Sequence, residues 1–269
     1  MTETMSCLIR RTILWLMAVT LLGIGVHKFS YVRTVSAQAR AQDWELTIRK
    51  FEDADKVKPP KQGGIVFTGS SSIVRWGRLR HDLKPLNIIN RGFGGSQFPD
   101  LNKYAQRVVI AYHPRAVVVY EGDNDLAEGS PRTPEMVAND AKEFIHIVHE
   151  QLPETWVYVM SIKPSKLRWN QWPKMKAANE MIREYIKTQD CAQYIDVATP
   201  MFDARGKLRA NLFTQDGLHP SAKLYAMWTS VIKPVLMKRF GSGKMTGLNL
   251  GAAPIFGFHL QNAPAPLAR

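Results

Sequence analysis

Cysteine is nearly absent: Cys7 and Cys191 are the only two in 269 residues, too few for a disulfide framework or a cysteine-based zinc site. No internal repeat is visible, which sets aside solenoids and propellers. Long apolar runs are missing as well. The stretch from Ile13 to Val26, ILWLMAVTLLGIGV, has fourteen residues. As a helix it would span about 21 Å, short of the roughly 30 Å of a bilayer's hydrocarbon core. Acidic residues are scarce relative to basic ones, 23 against 36, leaving a formal charge of +13. Such an excess attracts anionic surfaces. The lysines and arginines are scattered, however, and no recognition motif accompanies them, so no nucleic-acid partner is expected.

What is present suits one globular unit. Hydrophobic residues make up 45% and charged residues 22% of the chain, close to globular averages, and the length allows a single sizeable α/β domain. Arg10 and Arg11 precede the apolar run as in an export signal. Residues 1–42 are therefore expected to form a signal peptide or N-terminal signal anchor with a linker. Cleavage at Ala37-Gln38-Ala39 and retention of residues 13–26 as a membrane anchor both remain open. Either places the protein outside the cytoplasm, in the periplasm or its equivalent. Cys7 lies ahead of the apolar run, which argues against a lipoprotein anchor there. At the other end, residues 241–269 are rich in Gly, Ala and Pro and lack periodicity, and are expected to be a disordered tail.

Between them, residues 43–240 alternate short apolar runs with amphipathic segments. GIVF at Gly64–Phe67, LNII at Leu86–Ile89, AVVVY at Ala116–Tyr120, WVYVM at Trp156–Met160 and AQYIDV at Ala192–Val197 predict five strands. Continuous Val and Ile runs suit strands buried on both faces of a parallel sheet. Asp43 can cap a first helix with the stripe Trp44, Ile48 and Phe51, ended by Pro59-Pro60. Further helices are predicted over Phe98–Ala111, Thr133–Gln151, Gln171–Lys187 and Pro220–Phe240. The expected fold is α/β: a three-layer α/β/α, doubly wound, flavodoxin-like arrangement around about five parallel strands.

In such a sheet ligands bind beyond the carboxyl ends of the strands. There the sequence supplies Thr68-Gly69-Ser70-Ser71-Ser72, then Asn90-Arg91-Gly92-Phe93-Gly94-Gly95, then Glu121-Gly122-Asp123-Asn124-Asp125, and before the last helix Asp216-Gly217-Leu218-His219-Pro220. A hydroxyl nucleophile, backbone donors, a side-chain amide and an acid–base pair would meet on one rim, the inventory of acyl transfer. Each piece alone has a plain structural use, as a helix cap or a turn. Asp216 and His219 carry more weight, because across a glycine the carboxylate can curl back to the imidazole and fix its tautomer.

These segments, in this order, resemble the blocks of the SGNH (GDSL) hydrolase superfamily over about Gly64–Phe240. FTGSSSIVRW resembles the block in which a Gly-Asp-Ser triplet carries the nucleophile, and places it at Ser71. NRGFGGS places an oxyanion-hole glycine at Gly95, EGDND an oxyanion-hole amide at Asn124, and DGLHP the remaining triad members at Asp216 and His219. The resemblance implies a serine esterase or acylhydrolase acting through an acyl-enzyme on a small-molecule or glycan carboxylic ester: a lipid, another acyl ester or an O-acetylated glycan. It implies Ser71, Asp216 and His219 as triad and the Ser71 and Gly95 N–H groups with Asn124 as oxyanion hole, with no metal and no cofactor. One position departs: Ser70 stands where the family has aspartate, and three adjacent serines make the register itself a question.

Lys163, Arg168 and Trp169 follow the fourth strand and are candidate substrate contacts, with Trp172 equally suited to the core. His146 and His149 share a helix face read as solvated and not as a metal site. Two alternatives stay open: a metal-dependent phosphoesterase using Asp123, Asp125, Asp216 and His219, and a non-catalytic glycan-binding module.

Overall fold

A computed structural model describes residues 44–241. The apolar run at 13–26, the cleavage motif, Cys7, Asp43 and the tail from 242 onward lie outside the described residues. Among the described residues no helix is long and apolar enough to cross a membrane.

Five strands form one all-parallel sheet in the order β2-β1-β3-β4-β5: β1 Ile65–Gly69, β2 Ile88–Gly92, β3 Ala116–Tyr120, β4 Trp156–Met160 and β5 Ala192–Ile195. The continuous apolar runs are explained by two-sided burial. Val66, Ile89, Val117, Val119, Val157 and Val159 point to one core, and their neighbours Ile65, Phe67, Ile88, Val118, Tyr120 and Tyr158 to the other. Each fully buried side chain of this size contributes about 1.5–3 kcal/mol.

Helices cover both faces. Over the first core lie α1 (residues 44–57 of the described chain), α4 Phe98–Val108, α5 Pro134–Gln151 and α6 Trp172–Ile186. Over the second lie the short α2 Ser71–Val74, α3 Leu79–Asp82 and the closing α7 Ala222–Phe240. Local chemistry fixes their starts. Pro99, Pro134 and Pro173 occupy first-turn positions, where a missing N–H costs nothing. Gln97 and Asp100 form a reciprocal capping box on α4. Ion pairs tie α1 down: Arg91 Nη2 donates to both oxygens of Asp55 at 2.6 Å, and Arg107 binds Glu45 and Glu52.

Several boundaries differ from the sequence reading: β1 runs Ile65–Gly69 and α4 ends at Val108, and three further ones have a clear local cause. Strand β2 runs Ile88–Gly92 because Arg91, buried by its bonds to Asp55 and Tyr112, stays in register opposite Thr68. Strand β5 stops at Ile195, since Asp196 Oδ1 accepts from the Ala198 and Thr199 N–H groups and bends the chain. Helix α7 begins at Ala222, not Pro220, which pairs with Phe213 as an isolated bridge.

The order places β1 and β3 side by side at the centre, with the chain leaving them toward opposite faces: α2 joins the second core, α5 the first. In open parallel sheets ligands bind at such a switch point, here beyond Gly69 and Tyr120.

Candidate active site

The turn after β1 depends on Gly69. Its φ is +126°, and a Cβ there would run into the Tyr120 carbonyl. That close approach lets Ser70 N–H donate to Tyr120 O at 3.2 Å and puts Ser70 at the N-cap of α2. Ser71, the first helical residue, is partly exposed, whereas Ser70 and Ser72 are each only 2% exposed. Burial thus separates the three serines. Tyr225 Oη donates to Ser72 O at 2.9 Å and links α2 to α7.

Ser71 Oγ lies 3.0 Å from His219 Nε2, and His219 Nδ1 lies 2.5 Å from Asp216 Oδ2. The two carboxylate oxygens divide their work. Asp216 Oδ1 accepts from Thr214 Oγ1 at 2.7 Å and from the Leu218 and His219 N–H groups at 2.9 and 3.0 Å. The His219 bond, and after it these backbone donors, hold the Asp216 carboxyl well below the usual carboxylate range. An anionic Asp216 fixes the proton on Nδ1 and leaves Nε2 free to accept one from Ser71.

Beside Ser71 runs the loop Phe93-Gly94-Gly95-Ser96. Phe93 N–H donates to Gly69 O at 2.8 Å, and a Cβ on Gly94 would sit 3.9 Å from Ser71 Cβ. Gly95 has φ +80° with open space around its missing side chain. Neither Ser71 N–H nor Gly95 N–H has a protein acceptor among the described residues. Asn124 faces the same loop: its Nδ2 donates to Ser96 O at 2.9 Å, and its Oδ1 accepts from Arg168 Nη2 at 3.1 Å. An amide nitrogen carries two hydrogens, so one remains beyond the Ser96 bond.

The residues after β4 require correction. Lys163 is fully buried and paired with Asp123 at 2.5 Å, so it cannot meet a substrate. Arg168 is also largely engaged inward, with Asp123 and with Asn124 Oδ1. It fixes which end of the Asn124 amide faces Ser96. Burial alone would raise Asp123, but the charges of Lys163 and Arg168 outweigh it and hold its pKa low. Trp169 remains 45% exposed and Leu167 62% exposed. Their loop abuts the triad turn, with Leu167 N–H donating to Gly217 O at 3.1 Å. Trp172 is partly buried against the core. His146 pairs with Glu150 at 3.0 Å on the exposed side of α5.

The metal-dependent alternative loses its ligands. Asp123 is enclosed by Lys163 and Arg168, and Asp125 accepts from Phe98 N–H at 3.2 Å and faces Arg132 at 3.3 Å. Among the described residues no group of three or more His, Cys, Asp or Glu is arranged to hold a metal ion.

Two contacts were missed in the sequence. Trp44 Nε1 on α1 donates to Gly94 O at 2.9 Å, bracing the glycine loop from fifty positions away. Ser96 Oγ contacts the buried carboxyl of Glu121. Glu121 stood inside a quoted motif, but no local pattern marked either pairing.

The GDSL-like lipase/acylhydrolase family model matches residues 61–227, more than half of the chain, and the chain belongs to that family. No curated protein matches it by sequence. Solved structures share the fold. A GDSL-like lipase from Bacteroides thetaiotaomicron is 20% identical with a TM-score of 0.62, over 71% of this chain and 97% of the other. A lipase/acylhydrolase from Enterococcus faecalis is 18% identical with a TM-score of 0.51, over 65% and 96%. An acetylxylan esterase from Geobacillus stearothermophilus is 12% identical with a TM-score of 0.50, over 64% and 94%.

Proposed function

We propose that this chain is a serine acylhydrolase that cleaves carboxylic esters through an acyl-enzyme on Ser71. The observation that carries this reading is the unbroken hydrogen-bond line from Asp216 Oδ2 through the His219 ring to Ser71 Oγ. His219 Nε2 takes the Ser71 proton as Oγ attacks the ester carbonyl, and the imidazolium is balanced by Asp216. The same nitrogen returns the proton to the departing alkoxide. Water, deprotonated by His219, then attacks the acyl carbon and restores Ser71. Ser71 N–H, Gly95 N–H and the second Nδ2 hydrogen of Asn124 are the donors available to the tetrahedral oxyanion.

Serine at position 70 fits this chemistry, because the turn there is held by backbone: Ser70 N–H to Tyr120 O, and Ile73 N–H to Ser70 O at 2.9 Å. Exposed Trp169 and Leu167 beside the Asp216–Gly217 turn offer a surface for an acyl chain or a sugar ring, which keeps lipid esters and O-acetylated glycans as substrate classes. A fluorophosphonate should label Ser71 and neither neighbour, located by peptide mapping. Ser71→Ala should fold normally and lose turnover by about a million-fold, as other Ser-His-Asp triads do. A label on Ser70 or Ser72, or an active Ser71→Ala enzyme, rejects the reading.

A further inference from the structure

Glu121 follows β3 directly, ahead of the Gly122–Asp125 segment, is 1% exposed, and has no part in the steps above. Its Oε1 contacts Ser96 Oγ, while Oε2 is buried without a hydrogen-bond partner. Ser96 Oγ also lies 2.8 Å from Phe93 O. A serine hydroxyl has one hydrogen, and here it sits between two oxygens, one of which, the Phe93 carbonyl, can only accept. Both contacts are satisfied at once only if Glu121 carries a proton: its O–H donates to Ser96 Oγ, and Ser96 donates to Phe93 O. An ionised Glu121 would leave one contact without a hydrogen and a charged oxygen buried alone.

We propose that Glu121, as a neutral carboxylic acid, is a positioning residue that locks the Phe93–Ser96 loop and thereby sets Gly95 N–H and Asn124 Nδ2 for the oxyanion. Ser96 is the intermediary. Its hydroxyl closes the loop across Gly94 and Gly95, and its carbonyl accepts from Asn124. The surroundings agree. Burial, and after it the carboxylates of Asp125, Asp100 and Asp123, push Glu121 well above the ordinary range. The cations nearby are engaged elsewhere: Arg132 with Asp125 and Asp140, Lys163 and Arg168 with Asp123.

The inference rests on the acyl-transfer reading, and the test separates the two. With p-nitrophenyl acetate and the full chain, Glu121→Gln keeps a donor to Ser96 and should hold kcat near wild type. Glu121→Leu removes the donor in a similar volume and should lower kcat by roughly a hundredfold, the scale of a small misplacement at a reacting centre, with KM little changed and no fall in Tm. Wild-type kcat should decline as alkaline pH ionises Glu121, and the Gln variant should lack that limb. Infrared difference spectra of wild type minus Glu121→Gln at neutral pH should show the carbonyl stretch of a protonated carboxylic acid. If Glu121→Leu does not fold, Ser96→Ala replaces it with the same expected loss. Full kcat in the Leu or Ala variant, an impaired Gln variant, or no carboxylic-acid band overturns the proposal. A wild-type protein that neither turns over the ester nor is labelled at Ser71 rejects the acyl-transfer reading instead, and the infrared band still decides the state of Glu121.

Discussion

Replacing Asn124 by alanine removes two separable things. One is structural: the bond from Nδ2 to Ser96 O at 2.9 Å and the bond from Arg168 to Oδ1 at 3.1 Å. At about 0.5–1.5 kcal/mol net for each, the cost is roughly 1–3 kcal/mol. At about 2–4 °C per kcal/mol for a domain of this size, Tm falls by roughly 2–12 °C. The other, in the proposed mechanism, is catalytic: the second Nδ2 hydrogen. A preorganised donor aimed at developing charge contributes about 2.7–4 kcal/mol in the transition state, so kcat falls by roughly a hundred- to a thousandfold. Because that charge is absent from bound substrate, KM should change little. Ester kinetics on the folded variant, beside a thermal melt, reads both quantities. A variant that melts early but keeps wild-type kcat would reduce Asn124 to a brace and refute the oxyanion assignment.

Lys163→Met should destabilise the fold toward the lower end of the roughly 3–5 kcal/mol seen when a buried ion pair is broken, since Arg168 still faces Asp123; a denaturant midpoint equal to wild type contradicts the buried pair. Asp125 is raised by burial, against the pull of Arg132, from the ordinary 3.8 to about 6. The folded chain therefore holds this proton more tightly than the unfolded one, and Asp125 subtracts stability as pH rises from 3.8 through about 6. Asp125→Asn should remove that slope in pH-dependent melts, and parallel wild-type and variant curves would refute it. Trp44→Phe keeps the ring against Phe93 but loses the 2.9 Å bond to Gly94 O. It should lower stability by about 0.5–1.5 kcal/mol and kcat by less than Asn124→Ala, as melts and steady-state kinetics will show.

The strands were readable because a parallel sheet covered on both faces demands unbroken apolar runs, and AVVVY is such a run over the whole of β3. Short α2 and α3, four residues each, carry no helical period to detect. Strand β2 was placed too early because Asn90 and Arg91 look like loop residues. Asp55, on a helix far back in the sequence, and Tyr112 make a strand-borne arginine tolerable. The positions of Ser71, Asp216 and His219 followed from motif order, and the structure brings those three side chains together. Lys163 and Arg168 were misread because sequence tells which strand end a residue follows but not whether its side chain turns outward or into the fold. Asp123, two positions from Glu121 and one from Asn124, is the partner that turned both inward.

The Ser71–His219 contact joins residues 148 positions apart. Synthesis therefore completes the hydroxyl and the glycine loop long before the imidazole exists. In the proposed mechanism, activity requires the segment leading into α7 to reach α2. Ester turnover would for that reason report formation of this long-range contact. Refolding followed by ester hydrolysis would read the Ser71–His219 closure and far-ultraviolet signals the helices, so the two together give their order.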